Sequence, residues 1–224
     1  MPAAAPSSKP PPHVPRLIAW EVTRACAYAC VHCRADAQPQ REAFELTTEE
    51  GERLIDELAT FENRPILVLT GGDPLMRRDL LQLAEYADQQ GLRVALTPTA
   101  TALVTRKRMR EARAAGIRRV AFSVDAANAA THDRFRGFEG SFARTLSGMA
   151  AAHAGGLPLQ VNTTVCRLNV KELERMVPAL QRWGIVQWSV FFLVPTGRGT
   201  TLPMLSAHEH ERVLRWLHDL SQEA

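Results

Sequence analysis

No stretch of the sequence approaches the roughly 18 consecutive apolar residues that a membrane-spanning helix needs, so no membrane span is expected. The opening residues, MPAAAPSSKPPPHVP, lack the charged-then-apolar order of a secretory signal peptide. Cysteine is scarce. There are four in 224 residues, and three fall within eight positions, an arrangement that pairs poorly into disulfides. Missing export signals and clustered thiols together imply a reducing, cytoplasmic setting. Strong charge of one sign is also missing. The formal net charge is +3, supplied mainly by arginine; this suits an anionic substrate but does not argue for nucleic acid.

What is present reads as one globular domain. Hydrophobic residues make up 46% and charged residues 23%, and the chain is long enough for a real core. Residues 1–15, rich in Pro and Ala, read as a disordered tail, and residues 16–224 as the domain.

The chemistry centres on EVTRACAYACVHC, Glu21 to Cys33, where Cys26, Cys30 and Cys33 are spaced C-x3-C-x2-C. Three thiolates so close together can face one ion or cluster, but they leave one coordination position open. Closed structural zinc sites take four protein ligands, whereas an open position usually means chemistry. Thiolates are also the usual ligands of iron–sulfur clusters. Two other readings stand beside this one. The thiols can be ordinary buried side chains, or they can bind zinc with His32 or His13 as fourth ligand. His32 lies between two of the cysteines, where reaching the same metal would strain the loop. Cys166, alone, reads as core.

Around this segment the sequence alternates strand and helix patterns. Strands are expected over Arg16–Val22, 65–70, 92–97, 117–124, 158–165 and 186–194. Thr47 with Glu50, and Ser206 with Glu209, form capping boxes that open helices. Further helices are expected over residues 79–90 and 105–115. Two more are expected to open with Ser141 and Asn169 as caps, the second carrying Pro178 as a kink. Gly91, Gly116 and Gly184 are the expected stops. Six strand–helix units of about 25–35 residues imply an α/β fold with a parallel sheet. Eight units close a TIM barrel, so six give a partial (βα)6 barrel open on one side. Functional residues in such barrels sit at the C-terminal ends of strands.

Several polar motifs fall at those ends. Gly71-Gly72-Asp73-Pro74 follows the second strand, and paired glycines let backbone approach a ligand closely. Thr97-Pro-Thr-Ala-Thr follows the third; its hydroxyls either line a pocket or form a turn, and the turn is the simpler reading. Strand alternation puts Ser123 and Asp125, at the end of the fourth, on one side. His132-Asp133-Arg134-Phe135-Arg136 comes soon after, and a guanidinium such as that of Arg136 is a natural bidentate partner for a carboxylate. The sixth strand runs into Val194-Pro-Thr-Gly-Arg-Gly, a Pro/Gly turn with one arginine that reads as exposed.

The cysteine spacing and these motifs resemble the radical SAM superfamily over about Arg16 to Pro203. The resemblance implies a [4Fe–4S] cluster on Cys26, Cys30 and Cys33, with S-adenosylmethionine (SAM) on the open iron. Reductive cleavage of SAM would give methionine and a 5′-deoxyadenosyl radical that abstracts hydrogen from a substrate. It further implies that Gly71 and Gly72 offer backbone groups at the methionine amino group, that Asp73 sets the charge environment there, and that Ser123 and Asp125 lie at the ribose and carboxylate. Arg136 would pair with the carboxylate, and the backbone near Val194 would meet the adenine. His32 stands where relatives carry an aromatic residue near the adenine. The LVPTGRG and EVTRACAYACVHCRADA stretches resemble members that modify tetrapyrroles, in haem and haem d1 biosynthesis, within a SPASM-type subgroup. The expected substrate is therefore a tetrapyrrole, with a ribosomally made peptide as the alternative. A non-catalytic metal-binding module is the alternative from a different class. A flavodoxin or ferredoxin is the expected reductant. The cysteine-rich C-terminal extension of such relatives is not seen before Ala224.

Overall fold

The computed structural model describes residues 15–223, so the tail expected over 1–15 lies, but for Pro15, outside the described residues. Six strands form one sheet: β1 (Leu17–Thr23), β2 (Ile66–Gly71), β3 (Arg93–Leu96), β4 (Ile117–Ser123), β5 (Leu159–Val165) and β6 (Gln187–Phe192). They lie in sequence order, β1-β2-β3-β4-β5-β6, and every neighbouring pair is parallel. Parallel neighbours need a crossover, and helices supply it. These are α1 (Thr48–Ala59), α2 (Leu80–Gln89), α3 (Arg106–Ala114), α4 (Ala129–Arg136), α5 (Ser141–Ala154), α6 (Leu173–Arg182) and α7 (Ala207–Gln222). β1 and β6 remain the two edges, so the partial barrel expected from six units is what forms.

The core lies between the sheet's outer face and the helices. Leu67 and Leu69 of β2 stand in register with Val94 and Leu96 of β3, and all four are buried. Val120 and Phe122 of β4 and Val161 of β5 continue the layer against Leu83, Met109 and Met176 from the helices. Each fully buried Leu or Val contributes about 1.5–3 kcal/mol relative to an exposed one. The opposite, inward positions at the strand tops are polar: Thr70, Thr97, Ser123 and Thr164. The period-2 pleat thus sorts apolar residues to the helices and hydroxyls to the lumen.

Both capping boxes form as expected. Thr47 Oγ1 accepts from the Glu50 N–H at 3.2 Å and Glu50 returns the bond at 2.9 Å; Ser206 and Glu209 do the same at 3.3 and 2.6 Å. Gly91 and Gly116 adopt positive φ just past α2 and α3, as helix stops should. Two expectations fail for identifiable reasons, and one helix was not expected. Ser141 does not cap α5, because the Asp133 carboxylate reaches in to accept from the Gly140 and Phe142 N–H groups and from the Ser141 hydroxyl, at 2.7–2.8 Å. Asn169 does not cap α6. Its side chain accepts from the Cys166 N–H and donates to the Asp125 and Thr164 carbonyls, and a 3-10 turn over Val170–Glu172 intervenes. Helix α4 stands where no element was expected from the sequence. It is capped by Asn128, which accepts from the Thr131 N–H at 2.9 Å, and stopped by Gly137 at φ 64°.

Candidate functional site

The cysteine segment leaves β1 and has little regular structure of its own; only the Ala25–Gln38 bridge lies outside the named strands. Backbone groups of the turn after β2 and of the end of α4 hold it. The Gly72 N–H donates to the Thr23 carbonyl at 2.8 Å and the Asp73 N–H to the Ala25 carbonyl at 2.7 Å. The Val31 N–H donates to the Phe135 carbonyl at the end of α4. The glycine pair is demanded by this docking. A Cβ on Gly71 would lie 2.2 Å from the Thr23 oxygen, and one on Gly72 would lie 2.4 Å from the Ala25 oxygen. Gly71 also sits at φ 136°.

Cys26, Cys30 and Cys33 all face one cavity of about 550 Å³ at the C-terminal ends of the strands. Cys26 and Cys30 are buried and Cys33 is half-buried. Among the described residues, no three His, Cys, Asp or Glu side chains converge on a point that could hold a single metal ion. The three thiols line a volume large enough for a multi-atom group. Three sulfur donors on a cavity of this size fit a cluster with one open corner. Burial pushes the Cys26 thiol above its usual range, against a hydrogen bond from the Tyr28 N–H and its contact with the Thr99 hydroxyl. A bound metal reverses such a shift, because ligation deprotonates a thiol outright.

Gly71, Gly72, His32, Ser123, Arg136 and Val194 line the same cavity. The sequence reading therefore brought these positions to one place. Val194 is at the rim, with 61% of its surface exposed. The His32 ring lies against Phe135, with centroids 4.3 Å apart, and its Nδ1 is 3.3 Å from the Phe135 carbonyl. Burial, reinforced by the positive charge of Arg136, pulls its pKa down to about 4, so the ring is neutral at pH 7.

Asp73 and Asp125 sit differently from the expectation. Both are fully buried behind the cavity wall. Asp73 accepts from the Leu75 N–H at 3.2 Å and the Thr101 hydroxyl at 2.8 Å, and burial raises its pKa to about 6. β4 ends at Ser123, so the alternation that would carry Asp125 to the same side stops short. Asp125 turns into the protein, where it accepts from the Thr164 N–H at 3.0 Å and pairs with Arg136 Nη2 at 2.6 Å. Burial opposes ionisation there, but the charge of Arg136 overcomes it and holds the carboxyl below its usual range. Arg136 is thereby fixed between the Asp125 carboxylate and Cys30 Sγ, 3.9 Å from Nη1, and its Nε is buried without a partner.

Three contributors escaped the sequence reading. Thr99, in the supposed simple turn, donates to the Gly72 carbonyl at 2.7 Å and lies 3.6 Å from Cys26 Sγ. His132 is fully buried and accepts from the Asp125 N–H at Nδ1, so its neutral form carries the proton on Nε2, which has no partner. Tyr28 donates to the Ala100 carbonyl at 2.9 Å and stacks on Phe138 at 4.7 Å, bracing the segment between two cysteines. No periodic signal marks any of these; only position at a strand top does.

Residues 20–180 match the radical SAM superfamily. An AdoMet-dependent heme synthase of Methanosarcina barkeri is 43% identical over 212 residues, covering 95% of this chain and 60% of that protein. An Fe-coproporphyrin III synthase of the same organism is 34% identical over 186 residues, covering 83% of this chain and 46% of that protein. The chain thus spans about 60% or less of the length of these relatives. Among solved structures, Streptococcus suis SuiB bound to S-adenosylmethionine superposes with a TM-score of 0.75 at 13% identity, over 93% of this chain and 48% of that one; this likeness concerns the fold. Fold, thiol site and sequence agree, and the chain belongs to the radical SAM superfamily, whose members use a [4Fe–4S] cluster and S-adenosylmethionine.

Proposed function

We propose that residues 16–224 form the catalytic core of a radical SAM enzyme acting on a tetrapyrrole of the haem-precursor type. The observation that carries this reading is the meeting of three thiols, a glycine pair and a fixed arginine on one cavity at the strand tops. When bound, the cluster supplies the electron that cleaves SAM and so generates the 5′-deoxyadenosyl radical. The chain's own residues do the rest. Cys26, Cys30 and Cys33 ligate the cluster. Arg136, oriented by Asp125, offers a guanidinium to the SAM carboxylate. Ser123 and Thr164 offer hydroxyls to the ribose, and Gly71 and Gly72 bring backbone to the amino group's side. His32 and Val194 give an apolar-faced wall for the adenine. Asp73 acts at one remove, through Thr101 and the loop that carries Thr99. Enclosure by these walls keeps water from a reactive intermediate.

The tetrapyrrole assignment is supported by relatives named as a heme synthase and an Fe-coproporphyrin III synthase. The excess of positive charge suits a carboxylate-bearing macrocycle. A reductant such as flavodoxin or ferredoxin and a cytoplasmic setting belong to the same reading. Among the described residues no helix is long and apolar enough to cross a membrane. The test is anaerobic reconstitution with iron and sulfide, addition of dithionite and SAM, and detection of 5′-deoxyadenosine by mass spectrometry. Iron-coproporphyrin III and candidate precursor peptides are then offered separately. A mass change in the porphyrin is expected. A change in a peptide alone transfers the protein to peptide maturation, and no 5′-deoxyadenosine sinks the enzyme reading.

A further inference from the structure

Arg198 follows β6 in a 3-10 turn spanning Gly197–Thr201, and from sequence it reads as an exposed turn residue. In the structure its side chain is only 28% exposed and lies across the back of the cysteine segment. Its Nε donates to the Cys30 carbonyl at 3.0 Å. Its Nη1 donates to the Ala37 carbonyl and to the Asp36 carboxylate, both at 3.0 Å. Its backbone N–H donates to the Cys33 carbonyl at 3.0 Å. One residue thus meets four groups within the stretch that carries Cys30 and Cys33.

The surroundings show that this approach is built rather than incidental. A Cβ on Gly197 would lie 2.4 Å from the Cys33 oxygen and 2.7 Å from the Arg34 oxygen, so only glycine lets the turn come this near. Asp36, an Arg198 partner, is the one non-glycine residue at positive φ among the described residues, at 48°. A residue held there costs on the order of 1 kcal/mol unless its surroundings fix it. Cys33 Sγ accepts from the Ala37 N–H at 3.4 Å, and Ala37 is in turn gripped by Arg198. The Cys30, Cys33 and Ala37 carbonyls have no ladder partner, and Arg198 provides donors in place of one. β1 and β6 are the two edges of the sheet, so this clamp joins the segment that follows one edge strand to the turn that follows the other. Nη2 is buried with no partner, leaving its two N–H groups uncommitted.

We propose that Arg198 is a positioning residue for the cluster: it fixes the separation of Cys30 and Cys33 and keeps a permanent positive charge beside the metal site. This rests on the cluster assignment above. Groups that orient metal ligands are commonly worth 10–100-fold in metal retention when removed. A nearby positive charge favours the reduced, more negative cluster and so raises its reduction potential.

The experiment compares wild type, Arg198→Gln and Arg198→Lys after anaerobic reconstitution. It reads iron per chain, the rate of cluster loss to a chelator, the midpoint potential by spectroscopically monitored titration, and the far-UV circular dichroism of each apo-protein. Arg198→Gln is expected to lose its cluster about 10–100-fold faster than wild type, with an unchanged apo spectrum and a lower potential. Arg198→Lys, which keeps the charge but not the fork, is expected to lose its cluster quickly while restoring the potential toward wild type. Wild-type loss rate and potential in Arg198→Gln overturn the proposal. So does an apo-protein of either variant that is already unfolded, since that would place Arg198 in the fold rather than at the site. If wild type itself takes up no iron, it is the cluster assignment that fails.

Discussion

Gly72→Ala isolates the claim that the glycine pair exists to seat the cysteine segment. Gly72 is not at positive φ, so alanine meets no left-handed strain and its effect is purely steric. The new Cβ would lie 2.4 Å from the Ala25 oxygen, 2.6 Å from the Arg24 oxygen and 2.8 Å from the Ala25 carbonyl carbon. These are backbone atoms and cannot swing aside as a side chain would. Relief requires the segment to lift from β2, which breaks the Gly72–Thr23 and Asp73–Ala25 hydrogen bonds. Two such bonds are worth about 2 kcal/mol together, and overpacking adds about 1–3 kcal/mol. The expected loss is about 3–5 kcal/mol, a large part of the 5–15 kcal/mol that holds a typical domain. Gly140→Ala is the control: φ is 83° but nothing lies within 4 Å, so only strain of about 1–2 kcal/mol applies. Urea denaturation of the apo-proteins, without iron or SAM, is the assay. A loss below about 1 kcal/mol for Gly72→Ala, or equal losses for both variants, would refute the steric argument.

Other outcomes follow from the same geometry. Cys30→Ala should abolish 5′-deoxyadenosine formation, and retained product would remove the cluster assignment. Asp125→Ala leaves the buried Arg136 guanidinium without its carboxylate partner. It should cost about 3–5 kcal/mol in denaturant titration, and an effect near zero would show that the pair is not held as described. Asp73 ionises at about 6 in the folded chain against an ordinary 3.8. A raised carboxyl pKa means the folded state holds the extra proton between those values. Its favourable contribution is therefore complete below about pH 4 and is lost as pH rises through 6, a change of about 3 kcal/mol. The stability difference between Asp73→Asn and wild type should grow by about that amount from pH 4 to 7; a difference independent of pH would contradict it. His132 has the opposite sign. Burial lowers its pKa to about 4, so its contribution is present above pH 6.5 and lost as pH falls through 4, and His132→Asn should flatten that acid limb.

The sequence carried the fold well because its signals were local and redundant. Each buried strand was a short apolar run, and glycine marked three helix ends. Helix α4 was missed because AATHDRFR shows no apolar period; only His132 and Phe135 turn inward. Its Asn128 cap and Gly137 stop were readable, yet they bound a segment of only eight residues. Ser141 and Asn169 look like caps by type, but tertiary partners took over: Asp133 caps α5 from outside, and Asn169 spends its amide on Asp125 and Thr164. Such long-range substitution leaves no trace in a window of neighbours. The thiol spacing announced the site, whereas the burial of Asp73 and Asp125 and the reach of Arg198 did not. Those depend on how far a strand runs and on residues more than 160 positions apart.

The central claim is that the three thiols hold an iron–sulfur cluster whose open corner takes SAM. Anaerobically reconstituted wild-type protein should contain about four iron and four sulfide per chain. The electron paramagnetic resonance spectrum of its dithionite-reduced form should change when SAM is added. About one zinc per chain with no iron, or a reduced-cluster spectrum indifferent to SAM, would contradict the account.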